Sequence, residues 1–131
     1  MIIKLDTTSD IPIYLQLRNE VVLGVGRGDL KIGNPLPTVR QMAADIGVNS
    51  MTVNKAYALL KQEGFIDIDR RHGAVISPHA DLNSAFYERV DSELSLLVTE
   101  SALKGVEKKD FIAKVNAIFD GLNISAIPGS I

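Results

Sequence analysis

Three groups of side chains in this 131-residue chain have the types and spacing that read nucleic acid. Arg40 stands near the start of one amphipathic stretch. Asn49, Ser50, Met51 and Thr52 crowd the start of the next, with Asn54 and Lys55 farther along it. Arg70, Arg71, His72 and Gly73 make a basic turn. A guanidinium is a planar fork that fits a guanine edge or a phosphate, and an asparagine carboxamide pairs bidentately with adenine. Met51 suits a thymine methyl, Lys55 a phosphate, and the paired arginines a phosphate or a narrow minor groove. Three alternatives stay open on residue type alone. Arg40 is otherwise a solvated charge or half of an internal ion pair, Met51 is otherwise helix packing, and His72 is otherwise an ordinary loop residue.

The same inventory argues against catalysis and against a cofactor. The chain has no cysteine and two histidines, so disulfides and cysteine-ligated metal sites are excluded. No phosphate-binding glycine loop occurs, and no nucleophile sits with an acid–base partner in a recognisable motif. Asp67, Asp69, His72 and His79 have suitable donor atoms, but their spacing matches no ligand motif, and no metal is expected there.

The elements that must carry the reading groups are legible as periodicity. Val39, Met42, Ala43 and Ile46 fall at i, i+3, i+4 and i+7, one buried helical face. Thr38 stands as its N-cap and Gly47 as its terminator. Asn49 caps the next helix, in which Val53, Ala56, Tyr57 and Leu60 make the apolar face, and Gly64 ends it. Two short helices joined by a glycine-containing turn are a helix-turn-helix. Residues 65–69 alternate as a strand with one solvated face, and residues 74–77 return after the basic turn. The expected product is a winged helix-turn-helix. Upstream, residues 1–11 form an arm with a polar cap before Pro12, and a first helix spans about 11–27. Its core face is Ile13, Leu17, Val21 and Val25, while Gln16, Arg18, Asn19 and Glu20 look outward. Gly24 and Gly26 reflect close packing or fraying there, and residues 28–36 are a turn-rich connector.

A net charge of −2 is unusual for a DNA-binding chain until it is divided. Residues 1–78 hold nine Lys/Arg and eight Asp/Glu, net +1; residues 79–131 hold five and eight, net −3. Between Asp45 and Glu63 the only charges are Lys55 and Lys61. The reading helix thus carries no carboxylate to repel phosphate until its last turn.

These positions also form a fixed-order pattern. Leu36-Pro37-x-x-Arg40, Ile46-Gly47-Val48, Thr52-Val53, Ala56-Tyr57, Leu60 and Glu63-Gly64 resemble the N-terminal domain of GntR-type transcriptional regulators. So do residues 12–17 and 28–33, and the likeness spans residues 10–77. The resemblance implies DNA contacts from Arg40, Asn49 to Thr52, Asn54, and His72-Gly73. Many GntR-type proteins carry arginine where Ser50 stands, and a serine cannot fork onto guanine, which shifts that burden to Arg40. The short remainder is similar to the YtrA subfamily, which implies repression of a nearby operon, often one encoding ABC transporter components.

Pro78 marks a boundary, giving a DNA-binding domain over 1–78 and a helical dimerisation segment over 79–131. Asp81 or Asn83 caps a long helix whose stripe is Leu82, Phe86, Val90, Leu94, Leu97 and Val98. A second helix over 108–121 carries Phe111, Val115, Ile118 and Phe119. A bare hairpin cannot bury so many apolar side chains, so a second copy is the expected cover, presenting two winged helices to a palindromic double-stranded operator. Half-sites then lie about 34 Å apart, or a multiple of it. Little room is left within one protomer for an effector cavity of ~300–1,000 Å³, so any small-molecule effector would sit at the dimer interface or between domains. No run approaches the ~20 apolar residues of a membrane span, and Met1-Ile2-Ile3 is too short for a signal core. The expected fold class is mostly helical α+β, and the expected location cytoplasmic. The competing reading is a winged helix used for protein interaction without specific DNA binding.

Overall fold

The computed structural model describes residues 3–79 and 83–124. Five helices and one hairpin follow in the order α1 Ile13–Arg27, α2 Val39–Ile46, α3 Ser50–Gln62, β1 Ile66–Asp69, β2 Gly73–Ile76, α4 Ser84–Leu103 and α5 Lys108–Asp120. The chain divides into two compact units. One is Met1–Ala80 with Asn123–Ile131; the other is Asp81–Leu122.

In the first unit, three helices and the hairpin close over one core. Leu17 and Val21 of α1 meet Met42 and Ala43 of α2, Val53, Ala56, Tyr57 and Leu60 of α3, and Ile66, Ala74 and Ile76 of the wing. The terminators behave as their residue types require. Thr38 and Gln41 form a reciprocal capping box on α2 (3.1 Å in each direction), and Gly47 ends that helix at φ 72°. β1 and β2 are antiparallel, with Ile66 opposite Ile76 and Asp69 opposite Gly73. Three residues therefore turn the hairpin, and Gly73 at φ 67° supplies the left-handed residue that such a loop needs.

Five local expectations change. Arg18 does not look outward; it is 8% exposed, for the reason given below. Gln16 is half-buried as well. Its amide accepts from Asp6 N–H (2.8 Å) and donates to the Asp6 and Ile11 carbonyls, tying the arm to the start of α1. β1 starts at Ile66, one residue late, and its alternation fails at Ile68, which is 41% exposed. Gly73 belongs to β2 and not to the turn.

The connector is also more ordered than a run of turns. Gly33 N–H donates to the Ile76 carbonyl (2.7 Å), Ile76 N–H to the Asn34 carbonyl (3.0 Å), and Leu36 N–H to the Ala74 carbonyl (2.8 Å). Pro35, which lacks a donor, bridges Val75 without breaking this pairing. The wing is thereby clamped on its β2 edge to the chain that enters α2. Gly24 is explained by packing, since a Cβ there would lie 3.1 Å from Leu30 Cδ1.

The second unit is the α4–α5 pair. Asn83 is the cap of α4, its side chain accepting from Phe86 N–H (2.9 Å). Neither helix contains a buried residue. Phe86, Val90, Leu94, Leu97 and Val98 are exposed, as are Ile118 and Phe119, whereas Phe111 and Val115 are half-buried. Leu82 lies outside the described residues. Leu96 and Leu103 are exposed too, at 63% and 83%, and were not part of the expected stripe.

Candidate nucleic-acid interface

Three local structures meet at one surface. Tyr57 on the inner face of α3 donates its phenol to the Pro37 carbonyl (2.8 Å), which holds the entry of α2 against α3. Burial pushes the Tyr57 phenol well above its ordinary pKa, so this donor keeps its proton. The wing joins them. Thr38 and Val39, Asn54 and Ala58, and Ile68 and Gly73 all line one open cleft of about 400 Å³. The start of α2, the outer face of α3 and the wing therefore border a single surface.

Arg40 lies in the first turn of α2, exposed and without a hydrogen-bond or ion-pair partner among the described residues. At the start of α3, Asn49 Oδ1 accepts from the Thr52 N–H (2.8 Å) and hydroxyl (2.9 Å). That oxygen is committed to the helix; the Asn49 amide nitrogen is what it can offer a partner. Ser50 and Asn54 are exposed, and Thr52 is half-buried against its cap. Met51 is 81% exposed, so helix packing does not account for it. Lys55 bends back, its ammonium 4.0 Å from the centroid of the Tyr14 ring. This cation–π contact holds a positive charge on the flank of α3.

Arg70 and Arg71 are exposed at the wing tip. Asp69 organises the turn, accepting from the His72 backbone N–H and standing 3.2 Å from His72 Nδ1. These two hydrogen bonds lower the Asp69 pKa, the backbone one most. A carboxylate whose folded pKa is depressed stabilises the wing fully above its unfolded value, near ~3.9, and ceases to do so as pH falls through the lower folded value. The ¹³C carboxyl resonance of Asp69 is accordingly expected to titrate with a midpoint below that unfolded value. The His72 amide should lose exchange protection across the same acid window. A midpoint at or above the ordinary value would contradict the geometry.

The remaining acid and histidine pair elsewhere. His79 Nε2 stands 3.1 Å from Asp67 Oδ1, while His79 N–H donates to the Gly64 carbonyl (2.7 Å). Asp67, Asp69, His72 and His79 thus sort into two separate pairs. No group of three or more metal-binding side chains occurs among the described residues. No helix among them is long and apolar enough to cross a membrane.

Comparison with known proteins matches residues 13–76 to the family of bacterial regulatory proteins, gntR family. Over 124 residues the chain is 32% identical to the HTH-type transcriptional repressor YtrA of Bacillus subtilis strain 168, covering 91% of this chain and 95% of that one. Among solved structures, YtrA from Sulfolobus acidocaldarius, a GntR-family transcription factor, superposes with a TM-score of 0.60 at 36% identity. That match covers 74% of this chain and 99% of the other. A transcriptional antiterminator from Listeria monocytogenes EGD-e shares the fold over 97% of both chains, with a TM-score of 0.81 at 23% identity.

Proposed function

From the premise that this chain belongs to the gntR family of bacterial regulatory proteins, we propose that it is a cytoplasmic, homodimeric repressor. It occupies a palindromic operator and blocks transcription initiation at a nearby operon, with ABC transporter components among the candidate targets that the subfamily resemblance implies. The observation that carries the reading is the surface shared by α2, α3 and the wing. A capped helix, free of carboxylates until Glu63, exposes Met51 and Asn54, and Asn54 lines the same cleft as Thr38 and Val39 at the start of α2 and Ile68 and Gly73 of the wing. Asn54 reads adenine, Met51 a thymine methyl and Arg40 a guanine or a phosphate. The backbone amides at the starts of α2 and α3, with Lys55, hold phosphates. The wing arginines enter a minor groove.

The C-terminal pair supplies the twofold. Two helices without a buried residue expose Val90, Leu94, Leu97 and Phe119, an apolar surface that a second copy covers. The domain division follows: residues 1–78 read DNA and residues 79–131 dimerise.

Fluorescence anisotropy against duplex from upstream of its own gene, with scrambled duplex as control and at two salt concentrations, tests the reading. Tight binding to the upstream duplex alone is expected. Arg40→Ala should weaken it by about 1–2 kcal/mol, roughly five- to thirtyfold. If Arg40 holds a phosphate, the variant also lowers the salt slope by about one. Absence of binding to either duplex at low salt would favour a protein-interaction module instead.

A further inference from the structure

The geometry points to a contact that base and phosphate reading leaves out: the apolar cleft between α3 and the wing seats the deoxyribose face of one operator strand. The cleft is about 400 Å³, open to solvent, and lined largely by apolar groups, among them Pro37, Val39, Ala58, Ile68 and Ala74. Its position decides the occupant. If α3 lies in the major groove and the wing tip enters the neighbouring minor groove, the wall between those grooves is a single sugar–phosphate strand. That strand must cross whatever separates the two elements. Here the separation is this cleft, bounded by Asn54 of α3 on one side and Gly73 of the wing on the other.

The chemistry agrees. A phosphate would demand donors, whereas Ala58 and Ile68 present carbon, and the sugars are the apolar part of the backbone. Arg40 follows the lining residue Val39, and Arg70 and Arg71 lie between the lining residues Ile68 and Gly73 in the chain; all three are exposed and available to phosphates flanking a seated sugar. Ile68 now has a reason to break the strand's alternation. It is 41% exposed and lines this cleft. Contacts to sugar carry no base identity and fix register, so Ala58 and Ile68 are positioning residues.

This inference rests on the operator-binding reading, and its test separates the two. Hydroxyl-radical cleavage reports the exposure of individual deoxyriboses. The duplex is one selected by the wild-type protein from a random pool. At saturating wild-type protein, two or three successive sugars per half-site on one strand should be protected. Ala58→Leu fills the cleft at an exposed helical position, where leucine does not oppose the fold. It should abolish that protection and weaken binding at least about tenfold, with the slope of log affinity on log salt unchanged because no charge is touched. Ile68→Ser should remove the same protection with a smaller loss, about threefold, the scale of one lost apolar contact. Unaltered footprints and affinities in both variants would overturn the sugar seat while leaving operator binding intact, as would a cleft that takes up a small apolar effector without changing the footprint. Failure of the wild type to select any duplex would overturn both readings.

Discussion

A chain carrying Leu97→Glu and Phe119→Glu should sediment as a monomer and bind a palindromic operator at least ~100-fold more weakly, with its affinity for an isolated half-site unchanged. The magnitude comes from linkage. Two reading heads on one dimer convert the second binding event into an intramolecular one, which adds about 10²–10⁴ in avidity without any new contact. The positions are chosen for cleanliness. Leu97 is 55% exposed and Phe119 68% exposed within a protomer, so neither glutamate displaces a packed side chain. In the dimer both carboxylates would be buried against an apolar surface, where an unpaired charge is costly. Circular dichroism should show the helices retained. The unit already carries the acid excess of the chain, so added acid also raises repulsion between copies. A variant that stays dimeric would move the interface to another face, and Leu96 and Leu103 would be the next residues to test. A wild-type monomer would remove the twofold altogether.

Why those two leucines escaped a reading by periodicity, while so much else did not, is a matter of range. Thr38, Gly47 and Asn49 were legible because a cap is decided within about four residues by one side chain and a few amides. The inner faces of α2 and α3 were legible because a helix repeats its buried side every three or four residues. Pairing between distant segments leaves no such trace. The connector's bonds to β2 join residues some forty positions apart through backbone atoms that every sequence shares. Ile68 broke a sound rule because it lines an open cleft instead of closed core, and a cleft belongs to three elements at once. Leu96 and Leu103, seven residues apart, mark a second face of α4 that is lost beside the longer stripe. The candidate contact residues were singled out by residue type. The meeting of α2, α3 and the wing involves the Tyr57–Pro37 bond and the wing clamp, and neither is local.

Arg18 is the sharpest case of long-range meaning, and it carries the second large effect. On α1 it was expected to face water, as arginine in a surface helix usually does. Instead its Nε donates to Glu63 Oε1 (2.8 Å) and a terminal nitrogen to Glu63 Oε2 (3.3 Å), a fork across 45 residues. The other terminal nitrogen donates to Asn19 Oδ1 (3.1 Å), and the guanidinium carbon stands 5.3 Å from the Phe65 ring centroid. The Arg18 side chain is 10% exposed and that of Glu63 26%. Glu63 closes α3 and precedes the wing, so the pair locks α1 to the junction between α3 and the hairpin. Removing one partner of a buried pair typically costs ~3–5 kcal/mol; because Glu63 retains some access to water, Arg18→Ala should cost about 2–3 kcal/mol. For a unit of this size that is a fall in Tm of roughly 10 °C or more. Arg18→Lys keeps the charge but not the fork or the stacking plane, and should recover less than half of the loss. Replacing both partners, Arg18→Met with Glu63→Met, should be far milder than either single change, since no charge is then left buried alone. Urea titration of the four chains measures each term. A loss below about 0.5 kcal/mol for Arg18→Ala would class the pair with ordinary surface ion pairs and leave the position of the wing to the β2 clamp alone.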